Sequence, residues 1–193
     1  AAVGEDVSGW TRGDAVIALV RGAYAELVPA RAVLAYRPPS GMSIEDAASI
    51  PCVFLTAWYG LTKLGQLKPG ETVLIHAAGS GVGTAGIQIA RALGARVLTS
   101  AGSDHKVARG IELGAEAGIN YSTQDVAAEL RRLTDGKGVD VVLDSVGGAI
   151  FDATLQALAT GGRVATVGVA AGPRAELDAE ALQARGQTVQ ATG

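Results

Sequence analysis

From Thr72 onward the chain alternates short, unbroken apolar runs with longer segments of helical periodicity, and few architectures satisfy that alternation. The runs Thr72–Ile75, Val97–Thr99, Ala117–Asn120, Val139–Leu143, Val164–Val167 and Thr188–Ala191 read as strands. Between them, Gly81–Leu93, Lys106–Leu113, Asp125–Leu133, Phe151–Leu158 and Ala179–Ala184 read as helices, with Gly94 and Gly114 just past two of their ends. Strands that are apolar throughout are expected where helices cover both faces of a sheet. The expectation is an α/β fold: one doubly wound parallel sheet of Rossmann type.

The residues before Thr72 read differently. Asp14–Leu19, Tyr24–Val28 and Val33–Tyr36 are short apolar runs, the first two joined through Arg21-Gly22, and suggest a small antiparallel piece. Pro38-Pro39 and Gly41 then interrupt the chain. Ser43 followed by Asp46 resembles a capping box for a helix over Ile44–Ser49. Pro51 ends that helix or begins the next, over Val53–Leu64, with Gly65 suited to its C-cap. The expected division is 1–40 and 41–193.

Bulk properties narrow the function. In 193 residues the net charge is −3 with both signs scattered, so no basic stripe points to a nucleic acid. Apolar residues make up 48% and charged residues 18%, a globular balance. No apolar run is long enough for a membrane, and the amino terminus lacks the pattern of a signal peptide. One cysteine, Cys52, leaves no internal disulfide and no cysteine-rich zinc site. A cytoplasmic protein is expected, with no metal. Cys52 reads as a small buried apolar residue rather than a nucleophile.

The segment Ile75-His76-Ala77-Ala78-Gly79-Ser80-Gly81-Val82-Gly83-Thr84 joins an expected strand to an expected helix. That is where a dinucleotide pyrophosphate meets free N–H groups and a helix N-terminus. Small residues let the backbone approach, and Gly83 would let the helix pack on the sheet. The strict G-x-G-x-x-G register is broken, with Ala78 and Ser80 in place of the first two glycines. The plainer alternative is a tight turn that binds nothing. His76 reads as a strand-end packing residue, since sequence places no carboxylate near it. His105 reads as exposed, and neither has a metal-ligand partner four residues on.

Sites for NAD place Asp or Glu at the second strand end, about 20 residues past the glycines, to bind the ribose 2′-OH. Here that strand runs into Ser100-Ala101-Gly102-Ser103, with Lys106 and Arg109 following. A hydroxyl and cations at a helix start suit a 2′-phosphate. Equally, Ser103 is a plain N-cap and Lys106 a solvated charge. Asp104 is the dissenting residue, able to serve a ribose hydroxyl.

Taken together these stretches resemble the zinc-free, zeta-crystallin-like quinone oxidoreductases of the medium-chain dehydrogenase/reductase superfamily. The resemblance rests on Val73 through Ala85, Leu55-Thr56-Ala57-Trp58-Tyr59, Ala101-Gly102-Ser103 with Lys106, Ile119-Asn120-Tyr121, Gly138 through Gly148, and Gly162-Arg163-Val164. Gly13-Asp14-Ala15-Val16 and Gly22 through Glu26 resemble the end of the family's GroES-like catalytic domain. It covers nearly the whole chain.

The resemblance implies NADP(H) as cofactor. Ser80, Gly81 and Val82 would line the pyrophosphate, and Gly102, Ser103, Lys106 and Tyr121 would hold the 2′-phosphate end. Thr56, Gly168 and Val169 would lie near the nicotinamide, and Ser145 and Val146 above the strand ends. It implies hydride transfer to a quinone or other conjugated carbonyl without zinc, and names no general acid. Enoyl-thioester reduction, as in related polyketide and fatty-acid reductases, is the second enzymatic implication. A non-catalytic NADPH-binding module is the alternative from another class. The family's members also join as homodimers through the last strand, here Thr188–Ala191. Because the chain starts near the end of the GroES-like domain and stops at Gly193, before the family's final segment, it is expected to be part of a longer enzyme. As such it would bind NADPH without efficient turnover.

Overall fold

A computed structural model describes residues 2–174 and 176–192. The chain divides into two compact units, Ala1–Leu55 and Thr56–Gly193.

In the first unit β1 (Ile17–Ala18) pairs antiparallel with β2 (Ala35–Tyr36), Ile17 opposite Tyr36. The expected strand over Tyr24–Val28 does not form. Tyr24 and Leu27 are exposed, so extended backbone there gains neither a ladder nor a buried face. Helix α1 (Ile44–Ala48) starts where its capping pattern sits. The Ser43 hydroxyl accepts from the Asp46 N–H at 3.0 Å and donates to the Asp46 carboxylate at 2.7 Å.

Helix α2 (Ile50–Tyr59) begins earlier than its apolar periodicity suggested, with Pro51 in the first turn, where a missing N–H costs nothing. It does not continue as an α-helix to Leu64. Gly60–Leu64 form a π-helical turn, and the Gly65 N–H donates to the Gly60 carbonyl at 2.8 Å. Gly65 thus stands at the C-cap, as read, but in the right-handed region, with φ −73°. Close approach selects both glycines: a Cβ on Gly60 would lie 2.5 Å from Leu143 Cδ1, and one on Gly65 2.8 Å from Val141 Cγ1. Widening the last turn seats the segment directly on the sheet.

The sheet follows in strict alternation. It runs β3 (Thr72–Ile75), α3 (Gly81–Ala92), β4 (Arg96–Ala101), α4 (Asp104–Glu112), β5 (Ala117–Asn120) and α5 (Val126–Leu133). Then come β6 (Val139–Asp144), α6 (Gly148–Leu155), β7 (Leu158–Thr166), α7 (Ala179–Arg185) and β8 (Thr188–Ala191). All neighbouring pairs are parallel, in the order β5-β4-β3-β6-β7-β8. The chain starts in the middle, builds outward through β4 and β5, then returns to build the other half from β6. This is the Rossmann-type order, and its reversal between β3 and β6 leaves a crevice at the strands' carboxyl ends.

Strands β3, β5 and β8 fall where the apolar runs place them. Two boundaries differ more. Leu158, read as the end of α6, instead opens β7 opposite Val139. The register shifts between Val139 and Val141, and Gly161 takes a φ of +72°, so the strand carries a bulge that hides its true start. Helix α4 begins at Asp104, two residues before its apolar periodicity, with the Asp104 carboxylate in the first turn, where negative charge favours a helix start.

Leu74, Leu98, Ile119, Leu130, Val142, Phe151, Leu158 and Val164 form the core between sheet and helices. Arg163 of β7 ties the entry to β3. It donates to the Gly65 carbonyl at 2.9 Å and pairs with Glu71 at 2.6 Å, both side chains being mostly buried. Among the described residues no helix is long and apolar enough to cross a membrane.

Candidate functional site

Every residue singled out as a cofactor ligand except Thr56 lies past the carboxyl end of a parallel strand. The first group is the turn after β3. Ala77 is held in the left-handed region with φ 56°, and the Ala78 N–H is pinned to the Ser100 carbonyl at 2.9 Å. Ser80 caps α3, its hydroxyl accepting from the Gly83 N–H at 2.9 Å. A helix start leaves its first N–H groups without carbonyl partners. With that of Gly83 taken, those of Gly81 and Val82 are the ones left for an anion. A Cβ on Gly83 would lie 2.0 Å from the Ala77 carbonyl oxygen. Gly83 thus packs the helix on the turn's own backbone, and Gly86 is the glycine that meets the sheet: a Cβ there would lie 2.8 Å from Leu143 Cδ2 and 3.2 Å from Ile75 Cγ2.

The second group follows β4 and β5. A Cβ on Gly102 would sit 3.1 Å from the Tyr121 hydroxyl, so the phenol covers that glycine. Ser103 occupies the N-cap position of α4, yet its hydroxyl makes no cap bond and lies 3.2 Å from His105 Nδ1. Lys106 projects from the first turn with its stem against Gly79; a Cβ there would meet the Lys106 Cγ and Cδ at 3.1 Å. The lysine therefore joins the turn after β3 to the turn after β4. The structure thus sets Tyr121 on Gly102 and the Lys106 stem on Gly79, the residue before Ser80, Gly81 and Val82.

The third group follows β6 and β7. Asp144 is fully buried, and its Oδ1 accepts from the N–H groups of Val146 at 2.9 Å and Gly147 at 3.1 Å. The Ala171 N–H donates to the Val146 carbonyl at 2.7 Å, and a Cβ on Gly168 would lie 3.2 Å from the Ser145 carbonyl. Ser145 and Val146 are thus joined to the loop holding Gly168 and Val169. Thr56 stands apart on α2, half-buried, one turn before the π-helical segment that packs on Leu143 and Val167.

Sequence reasoning passed over Asp144, although a carboxylate ending an apolar strand just before Ser145-Val146-Gly147-Gly148 is a visible signal. It also missed how Asp144 bears on His76. His76 is a buried strand-end residue, as expected, but a carboxylate does act on it. Burial lowers its pKa to about 4, and the field of Asp144 offsets only part of that effect. The Thr154 hydroxyl donates to the Ile150 carbonyl at 2.7 Å, so it must accept from His76 Nε2 at 3.0 Å. Nδ1 then accepts from the Ser100 hydroxyl at 2.6 Å. The ring is neutral, with both nitrogens engaged.

Cys52 corrects the expectation of burial: it lies in α2's first turn and is exposed. His105 is exposed, as read.

The sequence pattern of the zinc-binding dehydrogenases matches residues 81–192. The chain belongs to the zinc-binding dehydrogenase family. Its relatives include a phenolphthiocerol/phthiocerol polyketide synthase of Mycobacterium tuberculosis, 41% identical over 167 residues, which are 86% of this chain and 8% of the synthase. Among solved structures, the quinone oxidoreductase of Thermus thermophilus, determined also as its complex with NADPH, is 36% identical with a TM-score of 0.84. That match covers 96% of this chain and 59% of the enzyme. The CurK enoyl reductase is 35% identical with a TM-score of 0.88, over 100% of this chain and 57% of that one. The chain thus spans under two thirds of the length of each. These relatives support the medium-chain dehydrogenase/reductase resemblance and divide between its branches.

The family's description raises the question of zinc. Among the described residues no three His, Cys, Asp or Glu side chains group as metal ligands, and His76 has no ring nitrogen to spare. These residues do not fit a zinc site.

Proposed function

We propose that the chain is the nucleotide-binding part of an NADPH-dependent oxidoreductase acting on a quinone or another conjugated carbonyl. The observation that carries this reading is Lys106 lying against Gly79. One cation then serves both the turn that would cradle a pyrophosphate and the turn that would hold a 2′-phosphate. When bound, the dihydronicotinamide would supply a hydride. The protein's own work is binding and orientation. Gly81 and Val82 offer backbone donors, while Ser103, Lys106 and Tyr121 offer donors suited to a phosphate. Ser145 and Val146, joined to Gly168 and Val169, form one wall at the strand ends, and we place Thr56 near it. We assign residues 1–40 to the end of a GroES-like domain and 41–193 to the NADP-binding domain.

The likeness to the CurK enoyl reductase and the polyketide synthase relative favour a second reading, reduction of an enoyl thioester. A module that binds NADPH without turnover is the third. Calorimetry and turnover on one preparation separate them. NADPH should bind tighter than NADH by about 1.5–3 kcal/mol, the worth of a charge-assisted hydrogen bond, and Lys106→Ala should erase most of that margin. Equal dissociation constants for the two cofactors would remove the NADP(H) assignment. Turnover is then compared with a quinone, an enone and an enoyl thioester. A faster enoyl thioester would move the function to the second reading, and binding with no turnover even by a longer chain that carries the GroES-like domain would move it to the third.

A further inference from the structure

Asp104 places a carboxylate at the helix start where, on the reading above, a 2′-phosphate would be held. It opens α4 between Ser103 and Lys106. A carboxylate there favours a ribose hydroxyl and repels a phosphate, so its presence runs against the cations beside it. The carboxylate is engaged, however. Its Oδ1 accepts from Asn120 Nδ2 at 2.7 Å, across 16 residues of sequence.

Asn120 is itself held on three sides. It ends β5 in register with Ala101 of β4, and only 6% of it is exposed. Its backbone N–H donates to Gln124 Oε1 at 2.8 Å. Its side-chain oxygen accepts from the Ser122 N–H at 3.1 Å. With the oxygen committed to Ser122, the amide can turn only its NH2 toward Asp104. The next residue, Tyr121, covers Gly102. Holder and held thus sit at adjacent strand ends, within the same cluster as the proposed phosphate ligands.

We propose that Asn120 is a specificity-determining residue: it draws the Asp104 carboxylate to the end of β5, so that a turn carrying an acidic residue still selects NADP(H). The inference rests on the NADP(H) reading of the same site. It casts Asn120 as a positioning residue that acts through Asp104 and has no contact of its own with the phosphate.

The test is a double-mutant cycle read by calorimetry with NADPH, NADH and adenosine 2′,5′-bisphosphate, after thermal melts confirm folding. Asn120→Ala frees the carboxylate and should cut the NADPH-over-NADH preference by about 5-fold, with a parallel loss for the bisphosphate, as expected for one added like charge near a phosphate. Asn120→Ser gives the same reading should the alanine variant fail to fold. Asp104→Ala alone should leave the preference within about 2-fold, because the charge it removes is already drawn aside. Adding Asp104→Ala to Asn120→Ala should restore the preference, which a merely structural role for Asn120 would not do. An unchanged preference in the Asn120 variants overturns the proposal, as does a rise beyond about 5-fold in Asp104→Ala alone. Equal affinities for NADPH and NADH in the unmodified protein would instead remove the underlying NADP(H) reading, and this proposal with it.

Discussion

His76 shows how far a single residue's chemistry depends on where its strand ends. In isolation it is a titratable group near neutrality. In the fold it is a neutral connector, joining β3 to Ser100 of β4 and Thr154 of α6. Because burial lowers its pKa from 6.5 to about 4, the native state resists a proton that the unfolded chain accepts. The sign follows by linkage: between those two values the unfolded state binds more protons, so stability falls as pH drops. The loss should begin near pH 6.5, be complete near pH 4, and amount to about 3 kcal/mol. Urea titrations across this range, compared with His76→Gln, should show the wild-type slope flattened in the variant. Parallel slopes would mean that His76 is not the group being charged.

At the scale of the element, the turn from β3 to α3 is built by close approach. Ser80 caps the helix, and Gly83 brings its backbone against the Ala77 carbonyl. A methyl group at Gly83 would meet that oxygen at 2.0 Å, and the neighbour is backbone that cannot swing aside. Gly83→Ala should therefore cost about 2–4 kcal/mol in chemical denaturation, in the range of overpacked and strained sites. It should also weaken NADPH binding, because the shift opens the turn that offers the Gly81 and Val82 N–H groups. Gly136→Ala is the contrast. A Cβ at Gly136 meets nothing within 4 Å, but its φ of +78° strains any side chain, so a smaller loss of about 1 kcal/mol is expected. Equal losses in the two variants would mean that strain, and not collision, governs both.

At the scale of the whole molecule, the sheet has two open edges among the described residues, β5 and β8. Strand β8 pairs only with β7, and Thr188, Gln190 and Ala191 are exposed. An open edge of four residues invites pairing with another chain. We expect a homodimer that extends the sheet through β8 by a symmetric contact. Sedimentation at micromolar concentration should show two subunits, and Val189→Pro, which removes a ladder donor, should shift the protein toward monomer. A monomer across that range would count against the edge as an interface.

Much of this fold could be read from the chain because local periodicity and burial point the same way. The strands β3, β5 and β8 are apolar runs bounded by breakers, and α1 starts on a capping pattern that contact with its own residues satisfies. The turn after β3 was legible for the same reason, since its small residues are contiguous. What local pattern could not carry was anything fixed by a partner distant in sequence. The π-helical turn at Gly60–Leu64 exists because Leu143 and Val141 lie beneath it, and the early start of β7 follows from its pairing with Val139. Likewise nothing beside Asp104 in the sequence shows that its carboxylate is held by Asn120, 16 residues on. Which segments become strands and helices is written in the local spacing, because each segment reports its own burial through its own periodicity. The partners of the buried and charged groups emerge only on folding, because a hydrogen bond between distant residues leaves no periodic trace in either.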